Sequence, residues 1–185
     1  MFRSFVLLSA ALGSLAVPCT VQAASEQDFV AFASAHCRAF INEGRADLSF
    51  AMGKASAKFS HDEMMQFNHD FAAKIVQQYN IDPAKGCTLD VVSMKPVKDE
   101  SSKPAERGRY VQPKAKKEIA VVAGVMGSKG NAAPVSVAYR LEHIGASPWV
   151  ITNITLNGQP LVDRYREEYE AAAAKGGSDA VLEKL

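Results

Sequence analysis

The hydrophobic period of this chain changes near Cys87, and that change orders it as helices, then strands, then helices again. Before Cys87 the apolar residues recur every three or four positions. After it they recur every two, and helical spacing returns beyond Pro160. A helix buries a stripe of side chains, whereas a half-buried strand buries alternate ones. Segregated blocks of the two patterns predict an α+β fold.

The helical block opens at Ser25-Glu26-Gln27-Asp28, with acids in a first turn followed by Phe29, Phe32, Ala33, Cys37, Phe40 and Ile41 at helical spacing. Asn42-Glu43-Gly44 stops that helix, and a short second one is expected from about Asp47, carrying Leu48, Ala51, Met52 and Ala55. Ser60 and Glu63 form a capping box for a third. Met64, Phe67, Phe71, Ile75 and Tyr79 line one face of it, and Gln66, Asn68, Asp70, Lys74 and Gln77 fall largely on the other. Asp82-Pro83 and Gly86 end it.

Four strands are expected next. Cys87 to Val97 alternates, Glu118 to Met126 is a nearly continuous apolar run, Val135 to Leu141 alternates strictly, and Trp149 to Leu156 completes the set. The connection from Lys98 to Lys117 is polar, with seven basic residues against three acids. It reads as a solvated loop or as a basic surface (Lys114, Lys116, Lys117) for an anionic headgroup or acidic partner. After Asn157-Gly158, Pro160 opens a helix striped by Leu161, Tyr165, Tyr169, Ala172 and Ala173. Gly176-Gly177 ends it, and Ser178 caps a last helix. The expectation is a four-stranded twisted antiparallel sheet, covered by the N- and C-terminal helices, with an apolar cleft between the layers.

The N-terminus constrains location. Arg3 precedes an uncharged apolar run from Phe5 to Val17, and Val21-Gln22-Ala23 has small residues where a signal peptidase reads. The run is shorter than the ~20 residues that span a bilayer. A signal peptide over residues 1–23 is expected, leaving residues 24–185 as one domain exported from the cytoplasm. Pro18 makes the residues before Cys19 a poor lipoprotein site. Arg3 is the one charge in the signal, so the 21 basic and 20 acidic residues of the whole chain balance without it. Nothing in that balance draws nucleic acid.

Two cysteines outlast the signal, Cys37 and Cys87. In an oxidising compartment they predict one disulfide, closing a loop of about 50 residues and stabilising by about 4 kcal/mol on the chain-entropy view. Two separately buried thiols are the alternative.

An ordered set of segments resembles the MlaC family of periplasmic phospholipid-binding, toluene-tolerance proteins. It runs Phe50-Ala51-Met52-Gly53-Lys54, Phe59-Ser60, Phe67, Phe71 and Tyr79, then Val137-Ala138-Tyr139-Arg140-Leu141, Trp149-Val150-Ile151, Gly158, Arg164-Tyr165-Arg166 and Gly176. The resemblance covers roughly Leu48 to Leu185. It implies a soluble carrier that takes phospholipid from an outer-membrane complex and passes it to an inner-membrane ABC transporter, acyl chains inside and headgroup out. The chain departs from the family pattern in a shorter N-terminal helical region, in Asn153 where an Asp is usual, and in Gln159-Pro160. Phospholipid or a similar apolar lipid would lie against Phe67, Phe71 and Ile75, with Val121, Val137, Tyr139 and Ile151 across the sheet. The same residues read equally as plain core, since both roles need an inward apolar face.

Catalytic signals are few. His61 and His69 are eight apart on one helix, too far for an i, i+4 metal clamp. His36 and Cys37 are neighbours on a helix and point about 100° apart. No cofactor or metal is expected. Two competing readings stand beside the lipid carrier: a small-cavity, isomerase-like enzyme, for which Tyr139 with Asp90 is the candidate pair, and a ligand-free interaction module with a solid core.

Overall fold

A computed structural model describes residues 25–96, 117–144 and 147–185. The expected signal peptide, Cys19 and the basic connection as far as Lys116 lie outside the described residues.

Helix α1 (Glu26–Arg38) starts with a reciprocal cap: Ser25 Oγ accepts from Asp28 N, and Asp28 Oδ2 accepts from Ser25 N at 2.7 Å. It runs into a π-helical turn, Ala39–Glu43, closed by Gly44 at φ 59°. Ser49–Lys58 follows as a 3-10 segment interrupted at Gly53, whose φ of 57° admits few residues other than glycine. Crowding reinforces that choice, because a Cβ there would lie 2.9 Å from the Arg166 side chain.

Helix α2 (His61–Gln78) carries the expected capping box, Ser60 N donating to Glu63 Oε2 at 2.7 Å. Phe67, Phe71 and Ile75 are fully buried. Asn68 departs from the polar side assigned to it: it is buried, and its Oδ1 accepts from Leu48 N at 3.0 Å. One hydrogen bond thus ties α2 to the start of the 3-10 segment, and it makes a buried amide tolerable.

The sheet has five strands rather than four, in the order β1 (Cys87–Pro96), β2 (Lys117–Met126), β3 (Val135–Ile144), β4 (Val150–Leu156) and β5 (Gln159–Pro160), all antiparallel. The fifth was missed because two residues carry no readable period. Asn157 and Gly158, at φ 48° and 80°, form the tight turn that folds it back onto β4. Strand β1 has an irregularity between Leu89 and Val91, opposite Gly124. A Cβ on Gly124 would stand 1.9 Å from the Thr88 carbonyl oxygen, so only glycine fits there.

Helix α3 (Leu161–Leu182) leaves β5 directly, bends at Gly176 and Gly177, and continues to the C-terminus as one kinked element. Asn153 Oδ1 on β4 accepts from Val162 N at 3.2 Å, satisfying a first-turn amide of α3. The helices gather on one face of the sheet: α1 packs over β1 and β2, and α3 over β4, β5 and the 3-10 segment. Ala120, Val122, Val137, Tyr139, Leu141, Ile154 and Leu156 supply the sheet's half of the core. A disulfide joins Cys37, in the last turn of α1, to Cys87 at the start of β1, with Cα atoms 6.5 Å apart.

Candidate functional site

The candidate site lies between the helical layer and the inner face of the sheet. From α2, Phe67 and Phe71 stack at 5.2 Å between ring centroids. From α3, Tyr165 and Tyr169 stack at 5.7 Å, and edges meet faces across the two helices: Phe71 to Tyr165 at 4.9 Å and Phe67 to Tyr169 at 5.6 Å. Each helix places its rings four residues apart, so the two pairs lie along facing stripes. Tyr165 and Tyr169 were legible as an apolar stripe but not as site residues. The usable signal was their spacing, which matches that of Phe67 and Phe71.

On the sheet, Val137, Tyr139 and Leu141 face inward from β3. Ile151 pairs with Leu141 and is half-buried against the same core. Val121 is a correction. It pairs with Arg140, whose neighbours Tyr139 and Leu141 point inward, so Val121 lies on the outer face. The inward residues of β2 are Ala120 and Val122. A strand that is apolar at nearly every position has no phase to read, and a one-residue error inverts its faces.

Among the described residues, these side chains pack into one buried cluster where the apolar cleft was expected between the layers. Phe67, Phe71, Ile75 and Tyr139 are without solvent exposure. Among the described residues, grooves lie elsewhere: about 570 Å³ beside Gly158, Pro160 and Arg164, about 460 Å³ along Val162, Arg166 and Glu170, and about 240 Å³ between the π turn and His69, Ala72 and Val76. None is lined by the predicted lipid-facing residues.

Polar chemistry in the interior is sparse and neutral. Burial pushes the Tyr139 and Tyr169 phenols up, keeping both protonated. Burial pushes His36 down, partly offset by Asp47, whose carbonyl oxygen lies 3.1 Å from Nε2. Among the described residues, His36 Nδ1 and the Tyr139 and Tyr169 hydroxyls are buried without a protein partner. Tyr165 differs, its hydroxyl lying 2.7 Å from the side-chain amide of Gln78. The candidate enzymatic pair is not assembled, since Asp90 is exposed in β1 while Tyr139 points into the core from β3. Among the described residues no group of three or more His, Cys, Asp or Glu is placed to hold a metal ion. No described helix is long and apolar enough to cross a membrane.

A family model described as MlaC protein matches residues 46–185. The chain belongs to the MlaC family. The match takes in the 3-10 segment, α2, the whole sheet and α3, and it leaves out α1 and Cys37. Among solved structures, the chain is similar to a phospholipid-binding protein from Ralstonia solanacearum in complex with a phospholipid. Identity is 17%, the TM-score is 0.39, and the match covers 80% of this chain and 69% of that one. No curated protein matches the chain.

Proposed function

We propose that this MlaC-family protein is a periplasmic lipid carrier that binds phospholipid and moves it between an outer-membrane complex and an inner-membrane ABC transporter. The observation that carries the reading is the family match over residues 46–185, which spans both layers of the apolar interior. Binding, not catalysis, suits an interior whose polar groups are few, neutral and unassembled.

The mechanism is shielding. Each acyl methylene removed from water contributes about 0.8 kcal/mol, so one long chain needs no specific polar contact to be held. Because aromatic side chains fill the interlayer space, a lipid enters only as the helices part from the sheet. Phe67, Phe71 and Ile75 on α2, with Val137, Tyr139 and Ile151 on the sheet, then exchange contacts with each other for contacts with the chain. The exchange replaces one apolar surface by another, so opening is offset as the acyl chain settles.

The filled core equally suits an interaction module, and one experiment separates the two. The protein is purified from its native periplasm without detergent, extracted with organic solvent and analysed by mass spectrometry. Stoichiometric phospholipid is expected, with none on Val137→Asp protein that keeps its circular dichroism spectrum. Lipid-free wild-type protein would refute the carrier and leave the interaction module.

A further inference from the structure

His36 and Tyr139 meet where α1 lies over the sheet, their rings edge to face with centroids 5.5 Å apart. His36 Nδ1 and the Tyr139 hydroxyl are both buried, and among the described residues neither has a protein partner. An unsatisfied buried polar group costs about 1–3 kcal/mol, which makes two on rings in edge-to-face contact a feature that needs a cause.

Their hydrogen-bonding roles follow from their surroundings. The Asp47 carbonyl oxygen, 3.1 Å from His36 Nε2, can only accept, so Nε2 carries the proton. Burial keeps the ring neutral, so Nδ1 presents a lone pair. Tyr139, held as the phenol, can donate and accept. The pair therefore offers one obligatory acceptor and one flexible donor, on rings whose centroids are 5.5 Å apart. A ligand hydroxyl satisfies both, donating to Nδ1 and accepting from the phenol. An ester carbonyl, carboxylate or phosphate oxygen has no proton for Nδ1 and satisfies the phenol alone.

We infer that His36 and Tyr139 form an interior site for a free hydroxyl group of the bound lipid. The site rests on the carrier reading, and it adds a preference that shielding by hydrocarbon alone does not supply. His36 belongs to α1, outside the family match, and its neighbour Cys37 is tied to β1, so the acceptor is anchored over the sheet. The hydroxyl has two chemical sources: the glycerol of a single-chain phospholipid, or an acyl chain that bears one.

The test uses delipidated full-length mature protein and two matched probe pairs, each displacing a fluorescent fatty acid. One pair is palmitoyl lysophosphatidylethanolamine and its acetylated derivative; the other is β-hydroxypalmitate and palmitate. In one pair the hydroxyl member is expected to bind about tenfold more tightly, because a site built to hydrogen-bond rejects the analogue that lacks the group. That preference should vanish in Tyr139→Phe and in His36→Phe, both of which keep an aromatic ring in place. The pair that responds names the source. Equal binding within both pairs, or a preference that survives both substitutions, overturns the site and leaves buried water as the partner of the two atoms. Should either variant fail to fold, the wild-type ratios decide. If no probe binds, and palmitoyl-oleoyl phosphatidylglycerol does not bind either, the carrier reading fails and the site with it.

Discussion

Helix α1 and helix α3 both lie against the sheet, one over β1 and β2 and the other over β4 and β5, yet they are held by different means. Helix α1 has a covalent tether, Cys37 to Cys87, and two ring contacts, Phe29 to Trp149 at 4.7 Å and His36 to Tyr139. Helix α3 has no such tether. It is held by the aromatic cluster it shares with α2 and by polar contacts along its length, Asn153 to Val162, Glu170 to Lys54 N, the Ala173 carbonyl to Lys58, and Ser178 to Glu63. A tether limits how far a helix can move, whereas apolar contacts can be exchanged for those of a ligand. The comparison teaches that parting of the layers should begin at α2 and α3, with α1 remaining in place.

Cutting the tether breaks this comparison most directly. The Cys37→Ala/Cys87→Ala protein is expected to lose about 4 kcal/mol on the chain-entropy view, read as a lower urea midpoint. Hydrogen exchange should then rise first in α1. Unchanged stability would mean that the packing of Phe29 and His36, not the disulfide, seats the helix.

Emptying the aromatic cluster has the next largest effect. Phe71→Ala should cost about 3 kcal/mol, the low end for a buried phenylalanine, because the Tyr165 and Tyr169 rings can close on the space. Its exchange signature should be the reverse, with α2 and α3 loosened and α1 protected. If α1 loosens as well, the two coverings open as one unit.

The smallest effect is at the end of α2. Glu63 caps that helix through Ser60 and accepts from Ser178 across to α3, and these bonds hold its carboxyl at about 2, below the usual 4.5. A carboxyl lowered in the folded state stabilises above its unfolded value, and that contribution is lost as pH falls from 4.5 toward 2. Glu63→Gln should flatten the melting temperature across this window and lower it at neutral pH. Ser60→Ala should cost about 1 kcal/mol. An unaltered acid slope in Glu63→Gln would place the acid sensitivity elsewhere.

The elements with a long, clean period were legible: α1, α2 and the alternating β3, together with the chain reversal at Asn157-Gly158. So were the capping box at Ser60 and the pairing of Cys37 with Cys87, the latter because only two cysteines lie beyond the expected signal. Legibility ended where local pattern has no phase or too few residues. Val121 went to the wrong face because β2 is apolar throughout, β5 is two residues long, and Asn68 looked polar until Leu48 gave it a partner.

What the sequence determined by itself was the class of fold, the order of its elements and the kind of interior, because hydrophobic period and turn chemistry act over a few residues. Tertiary structure decided which face of β2 is inner, that aromatic side chains fill the space between the layers, and that His36 meets Tyr139. Those are contacts between residues far apart in the chain, and they depend on register and packing, which no local pattern encodes.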